Sequence, residues 1–183
     1  LLYNIADANI LISSNEGWGL SLTEAMMAGT MIIPNVTGGM QDQVRFEDDK
    51  GDWINFSSDF PSNHRGTYKN HGEWAKPVFP SNICLQGSPL TPYIFDDKVQ
   101  PEDAADAIKF VYDLGKEERD RRGIAGRTWA TCDESNMSSE NMSKKILEAM
   151  EKGFNNFTPR PQYEVIKVEN NNSKFITHKL AGY

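Results

Sequence analysis

The sequence has no apolar run that approaches the roughly 20 residues of a membrane-spanning helix. Cysteine is scarce as well: Cys84 and Cys132 are the only two, and they match no metal-binding pattern. Basic residues are outnumbered, since 19 Lys and Arg against 26 Asp and Glu give a formal net charge of -7. This acidic balance argues against a general nucleic-acid or membrane-surface binder, which needs a basic face.

What remains is the composition of a soluble globular protein. Hydrophobic residues make up 38% and charged residues 25% of the 183 positions, enough for one domain with a substantial core. Cysteines outside any pattern are by default reduced cytosolic thiols, so we expect a cytoplasmic location. The chain begins with Leu1 rather than Met, from which we expect a piece of a longer protein.

Strand, glycine-bearing loop and helix alternate over the first 46 residues. The predicted order is a buried strand at 8–14, a turn at 15–19, a helix at 20–28, a strand at 31–33, a loop at 35–39 and a helix start at 40–46. Leu22, Ala25 and Met26 give the first helix its apolar stripe, and Gly29 ends it. This order predicts an α/β fold with a parallel sheet flanked by helices.

The rest of the chain is predicted to hold a long insertion, three helices and a tail. Segment 47–92 is rich in proline but too aromatic for a disordered linker, so we expect an irregular, ordered insertion with room for one or two short strands. After it, we predict a short strand at 93–95, a helix from Pro101 with Ala104, Ala107, Ile108, Val111 and Leu114 buried, and helices at 117–131 and 138–153. The tail over 163–180 is expected to form a β-hairpin around an Asn-rich turn.

Both glycine-bearing loops follow predicted parallel strands, and ligands of open α/β sheets bind at the carboxyl ends of such strands. Glycines let the backbone approach a ligand closely, and a helix that begins there favours an anion such as phosphate. Glu16 and Glu24, which flank the first loop, would accept hydrogen bonds from hydroxyl groups instead. A nucleotide sugar carries both a pyrophosphate and hydroxyls, and it therefore fits both demands.

Residues 16–24, EGWGLSLTE, resemble the E-x7-E element of retaining GT-B glycosyltransferases, which include glycogen-synthase-like and sucrose-synthase-like enzymes. The resemblance continues through AMMAG at 25–29, the strand after it and TGGMQD at 37–42, which is similar to the family's GG-x-x-E loop with Asp42 where Glu is usual. VQPEDAADAI at 99–108 resembles the DP-x-x-LA-x-AI helix start. This ordered series, over 1–46 and 93–150, is far more specific than E-x7-E alone.

The resemblance implies a hexosyltransferase that takes a nucleotide diphosphate sugar as donor, retains the configuration of the sugar and needs no metal or other cofactor. Glu24 would hold the ribose hydroxyls, and Glu16, the implied catalytic residue, would face the donor sugar near the reacting carbon. The implied donor-binding loop residues are Gly17, Trp18, Gly19, Leu20, Gly38 and Gly39. Preorganised amides and a helix dipole suit the negative charge that builds on the diphosphate leaving group.

The resemblance also implies parts that these residues do not supply. The family adds a basic residue pair to the pyrophosphate, upstream of this region, and an N-terminal domain that holds a glycan or other hydroxyl acceptor. By family proportions the chain is half of a Rossmann-like GT-B domain, formed by 1–46 and 93–153, with 47–92 inserted and 154–183 as a tail. We expect the isolated chain to be inactive, with no nucleic acid or membrane span as partner, and a homo-oligomer that supplies the missing strands stays open.

Plainer interpretations stand beside these roles. Ser21 to Glu24 spell a capping box, which would satisfy helix amides without a ligand. Glu16 could be an ordinary loop acid, Trp18 could pack the turn, and Gly38-Gly39 could be a plain turn. The acidic pairs Asp48-Asp49 and Asp96-Asp97 are expected in solvated loops rather than at a metal, the histidines at the surface or in packing, and the arginines of 119–127 on a solvated helix face.

Two other functions remain open from the sequence. A catalytically silent nucleotide-sugar-binding or interaction module would carry the same loops. Another GT-B enzyme is also compatible with them: a non-hydrolysing epimerase, or a phosphorylase, which ranks low because no lysine lies in a fitting context for pyridoxal phosphate.

Overall fold

The structure is a computed structural model that describes residues 2–54, 60–61 and 63–160. The chain divides into two compact units, Leu1–Ile146 and Leu147–Tyr183. The first unit contains all the strands and the first four helices of the described residues. The hairpin predicted at 163–180 lies outside the described residues.

A parallel sheet forms the centre of the first unit. Strands β1 (Ala8–Leu11) and β2 (Met31–Pro34) pair in parallel. On the other side of β2, residues 74–78 also run parallel to it, because Ile32 donates a backbone hydrogen bond to the carbonyl of Trp74 at 3.0 Å. The same pairing continues at Pro34, whose carbonyl accepts from the amide of Val78 at 2.9 Å. Strand β2 therefore has neighbours on both edges.

Five α-helices follow the predicted positions closely. They are α1 (Leu20–Ala28), α2 (Met40–Val44), α3 (Pro101–Asp113), α4 (Gly115–Thr131) and α5 (Ser139–Asn155), preceded by a short 3₁₀ helix at Tyr3–Ile5. Helix α3 begins as the sequence favours, with Pro101 in its first turn and the acids Glu102 and Asp103 near its positive end. Helix α1 ends at Gly29, which takes the left-handed conformation at φ +82°.

Helices cover both faces of β2. Because side chains alternate along a strand, Ile32 points to one face and its neighbours Met31 and Ile33 to the other. Ile32 belongs to a buried cluster with residues of α1, α2 and α4, whereas Met31 and Ile33 pack with Ala107 and Val111 of α3. The mixed α/β fold with parallel strands and flanking helices, consistent with part of a Rossmann-like domain, is confirmed.

Two antiparallel pairs lie between α2 and α3. Strands β3 (Phe46–Glu47) and β4 (Asn70–His71) form a short pair. Strands β5 (Asn82–Ser88) and β6 (Thr91–Lys98) form a longer ribbon. The strand predicted at 93–95 is therefore present, but it pairs with β5. The extended segment 74–78, which pairs with β2 through isolated bridges, lies inside 47–92, where we expected one or two short strands within an irregular insertion.

Some predicted burial is wrong. Strand β1 is shorter than predicted and only partly buried, and Ile10 on it is 41% exposed, because the described residues place no strand on its outer edge. On α3, Ile108 was expected in the buried face but is 51% exposed. Among the described residues, no helix is both long and apolar enough to cross a membrane.

The histidines and arginines expected at the surface or in packing differ in how far the structure exposes them. His64 is a packing histidine, since it is buried with its ring centroid 4.4 Å from that of Phe46, and burial lowers its pKa. Arg121 lies on an exposed side of α4 and pairs with Glu118 and Glu73. Arg119, expected on the same solvated face, is largely covered, and its guanidinium donates to the carboxylate of Asp7 at 2.9 Å.

Helix α4 packs closely against the turn that ends α1. A Cβ on Gly123 would lie 1.9 Å from the carbonyl oxygen of Gly29, and a Cβ on Gly126 would lie 2.7 Å from the Cβ of Trp74. Both glycines are buried. Absence of a side chain is therefore what lets α4 lie against α1 and the strand at 74–78.

We predict that Gly123→Ala lowers the free energy of unfolding by about 1–3 kcal/mol, although alanine favours helix formation, because the added methyl must displace backbone. Urea denaturation would measure the loss. The matched control is Gly153→Ala in α5, where a Cβ has no heavy atom within 4 Å. Equal or higher stability of Gly123→Ala would contradict the close packing.

Candidate functional site

The two glycine-bearing loops, 15–19 and 35–39, meet at the carboxyl ends of β1 and β2. The backbone amide of Gly39 donates to the carbonyl of Glu16 at 3.1 Å. A Cβ on Gly38 would lie 2.3 Å from that same carbonyl oxygen, and a Cβ on Gly39 would lie 2.0 Å from the carbonyl oxygen of Gly17. Gly38 also has a φ of +51°. The Gly38-Gly39 pair is therefore required by the contact of one loop backbone with the other.

We predict that Gly39→Ala destabilises the protein by about 1–3 kcal/mol, because the methyl group would meet backbone that cannot rotate away. Thermal or urea unfolding would measure the loss. Gly17→Ala in the facing loop is the matched control, since a Cβ at Gly17 has open space and the residue has no positive φ. Similar stability of the two variants would show that the loops can separate at little cost.

Helix α1 begins directly at the first loop. Its N-cap is Gly19, at φ +82°, and no side chain caps the helix. Ser21 lies inside the helix rather than before it, so the capping-box interpretation of Glu24 is wrong. A side chain at Gly19 would also approach Leu11 and Met40 to 3.1 Å, so glycine is needed there for both conformation and space.

Glu24 lies on the exposed side of α1. Its carboxylate accepts a hydrogen bond of 2.8 Å from the hydroxyl of Tyr3, in the 3₁₀ helix. That hydrogen bond, together with some burial and the negative charge of Glu24, raises the pKa of Tyr3 above its ordinary value. The carboxylate is open to a ligand, and Tyr3 holds it in place.

We predict that Glu24→Gln lowers the pKa of Tyr3 toward 10, since the amide carries no charge. Absorbance of the phenolate during an alkaline titration, with Tyr3→Phe to identify the signal, would measure the shift. Because the pKa of Tyr3 is raised in the folded protein, the contact stabilises fully below the unfolded pKa of 10 and is lost as pH rises through the folded pKa. An unchanged Tyr3 pKa in Glu24→Gln would contradict the contact.

Glu16 is a partly exposed residue of the first loop. Its backbone carbonyl is engaged by Gly39, but within the described ranges no hydrogen bond or ion pair holds its carboxylate. The neighbours Gly17 and Leu20 are exposed. The Glu16 side chain therefore lies beside a loop whose outer surface is accessible.

A ring of hydrogen bonds beneath the first loop has no signal in the sequence. The indole of Trp18 donates to the hydroxyl of Thr23 at 2.9 Å, and that hydroxyl donates to the side-chain carbonyl of Gln43 at 2.8 Å. The Gln43 side-chain amide then donates to the backbone carbonyls of Trp18 and Gly19. Trp18 therefore packs the turn, as the plainer interpretation expected, and takes part in the ring as well.

Asp97, in strand β6 of the antiparallel ribbon, contacts both the end of the first strand region and the second loop. Its amide donates to the carbonyl of Ser14 at 3.1 Å, and its carboxylate accepts from the Thr37 hydroxyl at 2.6 Å and the Asn63 amide at 3.2 Å. The side chain is buried, so the expectation of a solvated loop is wrong for this acid. Asp48 does cap a turn, accepting from the amides of Lys50 and Asp52.

No metal cluster forms at these loops: in the part of the chain that is described, no three His, Cys, Asp or Glu side chains are grouped to hold an ion. Asp42, at the position where the resembled motif has Glu, lies in the first turn of α2, and burial raises its pKa. The groups at the site that could bind a ligand are therefore backbone amides of the loops and the accessible carboxylates of Glu16 and Glu24.

Comparison with known proteins bears on this same region. Residues 1–58 match the family model for glycosyl transferases, group 1. The matched residues include β1, α1, β2, α2 and both glycine-bearing loops. The match supports glycosyl transfer as the chemistry of this region, with the nucleotide-sugar donor and the acceptor that the family implies. The resemblance at 99–108 lies outside the matched residues and stays a prediction. No curated protein matches the chain.

Proposed function

We propose that this chain is the donor-binding part of a retaining GT-B hexosyltransferase, and that the surface formed by loops 15–19 and 35–39 binds a nucleotide diphosphate sugar. The observation that carries the proposal is that the family match covers both loops, which the fold brings into backbone contact at the carboxyl ends of β1 and β2. The resemblance of 16–24 to E-x7-E adds retention and the roles of single residues.

The diphosphate is assigned to backbone amides at the start of α1. Amides of Trp18, Gly19 and Leu20 lie in the loop and first turn, where the helix dipole favours negative charge. As the glycosidic bond breaks, negative charge builds on the departing diphosphate, and fixed donors stabilise that charge without having to reorganise. No metal or other cofactor is part of this proposal.

The two glutamates are assigned to the hydroxyl groups of the donor. Glu24 accepts from the ribose hydroxyls, which its exposed carboxylate allows and which the Tyr3 hydrogen bond helps to orient. Glu16 faces the donor sugar near the reacting carbon, with a carboxylate that no described group engages. Gly38 and Gly39 are assigned to the same donor site, where they let the second loop rest on the first.

The acceptor is assigned to a further domain, together with the basic pair that completes the pyrophosphate site. The isolated 183-residue chain would then bind donor without turning it over. A catalytically silent module would bind the sugar nucleotide just as the transferase does. Turnover after addition of the acceptor-holding domain would distinguish the transferase from the silent module. An epimerase would instead change the sugar without any acceptor.

We predict that the chain binds sugar conjugates of one nucleoside diphosphate and that Glu24→Ala abolishes this binding with little change in the melting temperature. Saturation-transfer NMR with UDP-, GDP- and ADP-sugars would measure binding, and Glu148→Ala in α5, also an exposed helical glutamate, is the control. The melting temperature is expected to change little because Glu24 does not cap the helix and the hydrogen bond that it accepts from Tyr3 lies at the exposed surface. A folded chain that binds none of the three would contradict the proposal.

A further inference from the structure

Gln43 is a fully buried polar side chain at the end of the short helix α2. Burial of an amide without partners costs roughly 1–3 kcal/mol, so its hydrogen bonds must be made inside the protein. Its backbone carbonyl accepts from the indole of Trp74 at 3.0 Å, which fixes this point of α2 against the strand at 74–78. The residue is therefore anchored by its backbone, and its side chain reaches toward the first loop.

The direction of every hydrogen bond in the ring is settled by the chemistry of its members. The backbone carbonyls of Trp18 and Gly19 can only accept, so the nitrogen of the Gln43 amide faces them. The Thr23 hydroxyl, which accepts from the indole of Trp18, therefore gives its own hydrogen to the Gln43 oxygen. The oxygen of the Gln43 amide therefore faces Thr23, and its nitrogen faces the loop. That nitrogen donates to the carbonyl of Trp18 and, at 3.3 Å, to the carbonyl of Gly19.

Two consecutive peptide units of the loop are thus turned the same way. In a planar trans peptide the C=O and the following N–H point in opposite directions, and no cis peptide occurs in the described residues. With the carbonyls of Trp18 and Gly19 held toward Gln43, the amides of Gly19 and Leu20 point to the opposite side of the loop. Gly19, which lies between the two units, has a helical conformation of left-handed sense, and helical backbone of either hand turns successive carbonyls the same way.

We infer that Gln43 is a positioning residue that aims the amides of Gly19 and Leu20 at the diphosphate of the donor. This inference rests on the proposed function and deepens it. Gln43 touches no donor atom itself. It holds the Trp18 carbonyl and shares the Gly19 carbonyl with the amide of Leu22, which donates to it at 3.0 Å as helix α1 begins, and the amides of Gly19 and Leu20 point the opposite way. Thr23 orients the Gln43 amide, and Trp18 closes the ring.

The test compares nucleoside diphosphates with nucleosides in wild type and Gln43→Met, which keeps a long unbranched side chain but no hydrogen-bonding group. The probes are UDP, GDP and ADP beside uridine, guanosine and adenosine, titrated by calorimetry or NMR. We expect the affinity for the bound diphosphate to fall about tenfold or more, since hydrogen bonds to charged groups are strong. The affinity for its nucleoside should change less than about twofold, which loss of fold would not produce.

A second variant covers the case in which Gln43→Met does not fold. Thr23→Val keeps the volume of the side chain and removes the hydroxyl that orients Gln43, so it should weaken diphosphate binding in the same selective manner. Ser135→Ala is the control, because Ser135 is a buried hydroxyl bonded to the carbonyls of Ala130 and Cys132, in the segment after α4. It should leave both affinities unchanged.

The outcomes separate the two proposals. If wild type binds none of the diphosphates, the proposed function fails and this inference fails with it. If wild type binds one of them and the folded Gln43→Met or Thr23→Val variant binds it as tightly, the proposed function stands and the role of Gln43 is refuted. Equal losses for diphosphate and nucleoside would also refute it, since they would indicate a general structural role.

Discussion

The hydrogen-bonding demand of the buried strand β2 organises the first unit. All four of its residues are buried, so its backbone groups cannot turn to water and must find partners on both edges. β1 supplies one edge and residues 74–78 the other. Its alternating side chains meet α1 and α4 on one face and α3 on the other, so the position of each of these elements follows from β2.

The same strand fixes where the two glycine-bearing loops meet. β1 and β2 are parallel neighbours, so the loops that leave their carboxyl ends emerge side by side. Side chains at Gly38 or Gly39 would keep them apart, and glycine instead allows one loop backbone to rest on the other. The carbonyls of Trp18 and Gly19 in the first loop accept from Gln43, and the amides of the same peptide units point the opposite way. The site that we propose is a product of packing as much as of loop sequence.

The sequence allowed the helices and the first two strands to be predicted because their signals are local. Pro101 with its acids, Gly29 after an apolar stripe and the run at 31–33 each specify structure within a few residues. The strand at 74–78 could not be predicted in the same way, since its apolar residues are interrupted by Lys76 and Pro77 and its partner β2 is some 40 positions away. The prediction that Ile108 is buried was wrong for a related reason. Hydrophobic periodicity identifies the apolar face of a helix, but it does not show how much of that face other elements cover.

By itself, the sequence determined the α/β class, the order of the elements and the loop that resembles a sugar-nucleotide site, because composition, glycine placement and short motifs act over short distances. Only the tertiary structure decided what Glu24, Asp97 and Gln43 do. Ser21 and Glu24 spell a capping box, yet the helix begins one residue before Ser21. Asp97 looked like a solvated acid, but the base of the ribbon buries it against Thr37. Gln43 carries no motif, and its side chain acquires partners only when α2 folds beneath the first loop, since hydrogen bonds between distant residues depend on where the backbone places them.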